Sequence, residues 1–229
     1  MLVVRGKFGV CLMVCLVAGC NGAPQGSIDP PIPRAESLQQ PSTAELPPGL
    51  PEKFQVKLET TKGDVIIEVN SRWSPNGAQR IYTLVKEGFY DRTKFFRVLD
   101  GFMAQIGING DPAVQSKWRD ANIPDDPVVE SNKRGFVTFA KSQSPNSRST
   151  QIFINYGDNS QLDRDGFSPF GQVIEGMDVV ESLYGEYGEG YPNGSGPNQS
   201  RIQDEGNAYL ERDFPKLDAI KTATIVSEE

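Results

Sequence analysis

The feature that most constrains this chain is a series of short segments in which apolar and polar residues alternate, starting at Phe54. Phe54-Gln-Val56-Lys-Leu58-Glu places every second side chain on one face, the pattern of a strand buried on one side. Thr61-Lys62-Gly63-Asp64 supplies a turn, and Val65-Ile-Ile67-Glu-Val69 resumes the alternation, which predicts a hairpin. Further short strands are expected at 95–99, 102–106, 135–140, 152–155, 170–173 and 220–226. Only two stretches have helical spacing. Ser74-Pro75 opens the first, with Ser as N-cap and Pro in the first turn; Ala78, Ile81, Tyr82 and Val85 follow, and Gly88 ends it. The second lies near 177–183, with Val180, Leu183 and Tyr184 on one face. The Gly- and Pro-rich stretch 185–206 reads as a long loop. Many short strands with few helices predict a mainly β fold: a closed eight-stranded antiparallel β-barrel capped by two α-helices.

Composition then removes whole classes of function. Among 229 residues there is no histidine, which excludes Ser-His-Asp hydrolysis, Cys-His proteolysis and His-ligated zinc. The three cysteines are Cys11, Cys15 and Cys20, so the body of the chain offers neither a disulfide nor a Cys-rich metal site. A net charge of −7 argues against nucleic acid, which needs a basic face. Gln161-Leu-Asp163-Arg-Asp165-Gly166 imitates part of a calcium loop. That motif requires acids where Gln161 and Gln172 stand, so neither metal nor other cofactor is expected.

The N-terminus is organised differently. Arg5 and Lys7 precede an apolar run from Phe8 to Ala18 that is shorter than the roughly 20 residues needed to cross a bilayer. It ends in Leu16-Val17-Ala18-Gly19-Cys20, which resembles the bacterial lipobox. On that reading residues 1–19 are a signal peptide, and Cys20 carries the lipid (diacylglycerol and palmitate) as the first mature residue. Two or three acyl chains hold a protein stably at a membrane. An ordinary signal peptide or a buried helix with a chance Cys are the alternatives. Residues 20–52 hold Pro24, Pro30, Pro31, Pro33, Pro41, Pro47, Pro48 and Pro51 with few large apolar side chains, and read as a tether or a partner-binding proline motif. The folded domain is then 53–229, outside the cytoplasm, on the periplasmic face of the inner or outer membrane.

Three ordered segments carry a resemblance. Phe95-Phe96-Arg97-Val98-Leu99-Asp100-Gly101-Phe102-Met103-Ala104-Gln105 resembles the cyclophilin signature, Phe-His-Arg, two apolar residues, Pro-Gly-Phe-Met, any residue, Gln-Gly-Gly. Ser149-Thr150-Gln151-Ile152-Phe153-Ile154-Asn155 is similar to that family's Ser-Gln-Phe-Phe-Ile strand. Leu162-Asp163 and Phe170-Gly171-Gln172-Val173-Ile174-Glu175-Gly176-Met177-Asp178-Val179-Val180 are similar to its last barrel strand and second helix. The resemblance implies a peptidyl-prolyl cis/trans isomerase with Arg97 as its principal catalytic residue. It further implies a proline socket of Phe102, Met103, Phe153 and Leu162, glutamines Gln105 and Gln151 that bond the substrate backbone or orient Arg97, and a contact for the residue before proline at Ala140 and Lys141. Phe96 and Phe167 stand where the family commonly has His, and Gln161 where many members have Trp; all three are expected in the groove. Ile106 replaces the first Gly of Gln-Gly-Gly. The segment 206–217 is additional to the minimal pattern. The expected partners are proline-containing unfolded or partly folded polypeptides, bound by a monomer. The alternative is a module that holds proline peptides, chaperone-like, with little turnover.

Overall fold

The computed structural model describes residues 46–229; the expected signal peptide, Cys20 and most of the expected tether lie outside the described residues. Eight strands form one antiparallel sheet: β1 (Lys53–Thr60), β2 (Asp64–Asn70), β3 (Arg97–Leu99), β4 (Met103–Ile106), β5 (Phe136–Phe139), β6 (Ile152–Asn155), β7 (Pro169–Glu175) and β8 (Ile220–Glu228). Their spatial order is β3-β4-β6-β5-β7-β2-β1-β8. The alternation that starts at Phe54 places Phe54, Val56 and Leu58 of β1, with Val65, Ile67 and Val69 of β2, in the core. Ala104, Ile106, Val137, Phe139, Ile152, Ile154 and Phe170 complete it from the other strands. Leu50, just before β1, is buried with them, and the Pro51 carbonyl accepts a hydrogen bond from Ser71 Oγ at 2.6 Å.

The sheet is a half-barrel, not the closed barrel expected from strand count. Among the described residues no ladder joins β3 to β8. The two edges meet at one isolated antiparallel bridge, Lys94 to Ala219, flanked by Phe95 N–H to Asp218 O and Ile220 N–H to Thr93 O, each 2.9 Å. A turn at 90–93, with Arg92 at φ 61°, precedes this bridge, and β3 itself is only three residues long.

Helix α1 (Pro75–Lys86) closes one end with Ala78, Ile81, Tyr82, Leu84 and Val85 buried. Four more helices follow instead of the single one expected: α2 (Pro112–Trp118), α3 (Met177–Glu181), α4 (Gln199–Glu205) and α5 (Asn207–Asp213). α2, α4 and α5 have seven residues each, about two turns, too few for a 3.6-residue period to stand out. Two of the three, α2 and α4, start at a side-chain cap. Asp111 before Pro112 accepts from Ala113 N–H, and Asn198 accepts from Ser200 and Arg201 N–H. The stretch 185–206 therefore ends in a helix. α4, α5 and the chain around them build a second, smaller core from Phe96, Ile108, Ile202, Tyr209, Leu210 and Leu217, with Tyr187 and Phe214 against it.

Candidate active site

The site grows from the register of three strands. Arg97 of β3 pairs with Gln105 of β4, and Gln105 pairs with Phe153 of β6. Residues paired across a sheet share a face, and side chains alternate between faces along each strand. The row Arg97–Gln105–Phe153 therefore stands on the face opposite Val98, Ala104 and Ile154, which are buried in the core. Met103, two residues from Gln105, joins the row. Gly107, just past β4, has φ 107° and lies so close to β6 that a Cβ would sit 2.4 Å from the Thr150 carbonyl. That close approach brings Gln151 beside Gln105.

The result is an open groove of about 510 Å³ lined by Arg97, Phe102, Met103, Gln105, Ala140, Lys141, Gln151, Phe153, Leu162 and Phe167, ten of the twelve residues expected there. Arg119, Ser142, Ser147, Ser149 and Gln199 also line it. Arg119 follows α2 and Gln199 opens α4, so both arrive on segments that alternation could not read. Leu162 is aimed by a 3₁₀ turn, Ser160–Asp165, pinned where Asp163 accepts from Ser131 Oγ at 2.6 Å and from Asn132 N and Nδ2 at 3.0 and 2.8 Å. Those bonds occupy the carboxylate that gave the calcium-like pattern. Phe167 meets Phe153 edge-on, ring centres 5.9 Å apart. Lys141 lies along the wall with Nζ 3.5 Å from Asp125 Oδ2 and 5.8 Å from the Phe167 ring centre.

Two expected groove residues are elsewhere. Phe96 lies just before β3 and is fully buried in the second core, away from the groove. Gln161 is exposed and outside the groove lining, while its neighbour Leu162 lines the groove.

Arg97 is held from two sides. Nη1 donates to Gln105 Oε1 at 3.1 Å, and Gln105 Nε2 donates in turn to Gln151 Oε1 at 2.8 Å. On its other edge Nε and Nη2 donate to the two carboxylate oxygens of Glu189, at 2.7 and 2.6 Å. These hydrogen bonds hold the Glu189 carboxyl below the usual carboxylate range. Nothing in the local sequence marks Glu189; it stands among glycines 92 residues from Arg97.

A polar row of arginine and two glutamines beside an aromatic and aliphatic socket is the arrangement the resemblance implied. The family model for cyclophilin type peptidyl-prolyl cis-trans isomerases matches residues 55–203, well over half of the chain. The chain belongs to the cyclophilin family. Its activity is that of a peptidyl-prolyl cis-trans isomerase. Peptidyl-prolyl cis-trans isomerase B of Escherichia coli (strain K12) is 30% identical over 181 residues, 76% of this chain and 99% of that protein. A probable peptidyl-prolyl cis-trans isomerase of Brucella abortus (strain 2308) is 34% identical over 157 residues, 64% of this chain and 79% of the relative. A crystal structure of a Cryptosporidium parvum cyclophilin shares the fold, with TM-score 0.54 at 22% identity, covering 77% of this chain and 99% of that one. Phe96 of this cyclophilin packs in the second core rather than in the groove. The matched region ends at 203, so α5 and β8 lie beyond it.

Proposed function

We propose that Arg97 stabilises the twisted transition state of an X-Pro bond, and that the natural substrates are exported polypeptides met outside the cytoplasm. The planar peptide bond has a rotation barrier of about 18–20 kcal/mol, and twisting it localises a lone pair on the prolyl nitrogen. No nucleophile, metal or proton transfer is required, only a site that holds the twisted form better than either planar one. A fixed guanidinium does this by donating to that nitrogen and to the nearby carbonyl. The socket of Phe102, Met103, Phe153, Leu162 and Phe167 holds the proline ring, Gln105 orients Arg97, and Gln151 bonds the substrate backbone. Ala140 and Lys141 meet the residue before proline. The observation that carries this reading is the projection of Arg97 into an open groove whose apolar wall lies alongside it. A related Cryptosporidium parvum cyclophilin was crystallised in the presence of the dipeptide Ala-Pro, which supports a proline-peptide ligand here.

The location rests on the sequence alone: Leu16-Val17-Ala18-Gly19-Cys20 as a lipidation signal, followed by a tether that keeps a monomeric domain near the membrane surface. The deciding measurement is a protease-coupled proline-isomerisation assay on wild type and Arg97→Ala. Losing a donor that acts chiefly in the transition state should cost roughly 10²–10³ in turnover, by analogy with oxyanion donors, with a smaller change in peptide affinity. Near wild-type turnover in Arg97→Ala would overturn the assignment.

A further inference from the structure

The stretch 185–217, of which 206–217 is additional to the minimal family pattern, delivers one side chain to the site. Its foundation is the second core, in which Phe96 lies under Tyr209, Leu210, Leu217 and Ile202. Tyr187 is stacked edge-on against Phe214, ring centres 5.0 Å apart, and Asn198 N–H donates to Tyr209 Oη at 3.1 Å. On that base the chain from Gly188 to Gly196 folds tightly around the Glu189 carbonyl. Gly196 N–H donates to it at 2.9 Å, and a Cβ at Gly194 would sit 2.3 Å from it. Gly190 N–H donates to Glu189 Oε1 at 2.8 Å, which sets the carboxylate's orientation before Arg97 meets it. Glu189 is thus presented from a built loop, with both oxygens aimed at one edge of the guanidinium.

A contact of this kind can obstruct a site or prepare it, and the geometry separates the two. Arg97 has five N–H hydrogens. Glu189 takes two and Gln105 one. Met103 Sδ, 3.9 Å from Nη1, is at most a weak acceptor. One hydrogen on Nη1 and one on Nη2 therefore remain for a substrate, the number that donation to the prolyl nitrogen and a nearby carbonyl requires. Glu189 itself is not among the residues lining the groove, whereas Arg97 is. The carboxylate takes the Nε–Nη2 edge of the guanidinium and is not part of the groove lining.

We infer that Glu189 is a positioning residue for the isomerase reaction: with Gln105 it locks the plane of the Arg97 guanidinium, and segment 185–217 exists at this place in the fold to hold it there. The inference rests on the assignment of Arg97 made above. Two anchors on different edges of a planar group remove rotation about its last two bonds, so the remaining donors are fixed before substrate arrives. A freely rotating arginine would have to be ordered in each turnover.

The test is steady-state kinetics on the full chain, with kcat and KM read separately. Glu189→Ala should lower kcat by about ten- to a hundredfold, the size expected when a reacting group is slightly misplaced, while KM stays close to wild type. Glu189→Gln, nearly isosteric and so the safer variant for folding, keeps one acceptor and should fall between the two. In an Arg97→Ala background Glu189→Ala should cost nothing further, because it acts only through Arg97. Wild-type or higher kcat in both Glu189 variants, beside an impaired Arg97→Ala, overturns this inference alone. The same fractional loss with and without Arg97 also overturns it, since that is the mark of a general structural role. Full turnover in Arg97→Ala overturns the assignment of Arg97 and this inference with it.

Discussion

At the scale of single residues, the site depends on a charge pair whose protonation is easily followed. Glu189 has its carboxyl pKa depressed by its hydrogen bonds to Arg97. A depressed carboxyl contributes its stabilisation fully above the unfolded value, about 4.3, and loses it as pH falls through the lower folded value. The grip on Arg97 is therefore constant through neutrality. The chain has no histidine, and the mechanism moves no proton. Isomerase activity per molecule should accordingly be flat between about pH 6 and 8. A bell-shaped profile centred in that range would reveal an acid or base that the mechanism does not contain. Most of the groove was legible at this scale because its residues belong to short local motifs. Phe96 and Gln161 were misplaced because a motif gives position along the chain, while packing decides which way a side chain faces: Phe96 is buried in the second core and Gln161 is exposed.

At the scale of elements, α1 was correctly placed from its spacing, but its start is held differently from what Ser74-Pro75 implied. Ser74 makes no capping hydrogen bond to the helix. Its hydroxyl donates to Asp126 Oδ2 at 2.6 Å, and Asp126 itself accepts from the N–H groups of Asn76 and Gly77 at 3.2 and 3.0 Å. The true cap comes from a carboxylate about fifty residues further along the chain. Asp126 also pairs with Arg148 Nη2 at 2.9 Å, both side chains being almost wholly buried; Arg148 donates as well to the Pro124 carbonyl. Removing one member of a buried pair leaves the other charged and uncompensated, typically at a cost of 3–5 kcal/mol. Asp126→Ala should therefore lower unfolding free energy by about that amount in urea titration. A loss below about 1 kcal/mol, the usual worth of a cap alone, would mean that Arg148 finds another partner. The strands fared better than the short helices because a two-residue period shows within five residues, whereas two turns of helix give too few repeats.

At the scale of the whole molecule, a half-barrel carries its groove on the outer face of β3, β4 and β6, and a helical cap built on Phe96 reaches round to the same place. None of the helices among the described residues is long and apolar enough to cross a membrane. Attachment through Cys20 is a proposal that rests on the lipobox-like segment 16–20 alone. The lipobox-like segment predicts that the native protein partitions with membranes, and that Cys20→Ala is released or left unprocessed. Mass spectrometry finding an unacylated Cys20 in the mature protein would refute the anchor.

What the sequence by itself determined was the local part: which segments are strands, which strand residues face the core, and the motif that puts Arg97, Gln105, Gln151 and Phe153 within one groove. The strands and their core faces follow from periodicity written along the chain; the groove residues follow from the resemblance of three ordered segments to the cyclophilin family. Tertiary structure alone decided that the sheet stays open between β3 and β8, that Asp126 caps α1, and that Glu189 meets Arg97. Each depends on where an irregular segment returns in space. That return is set by burial of side chains far apart in sequence, such as Phe96 against Tyr209 and Leu210, and such a contact leaves no period for the sequence to display.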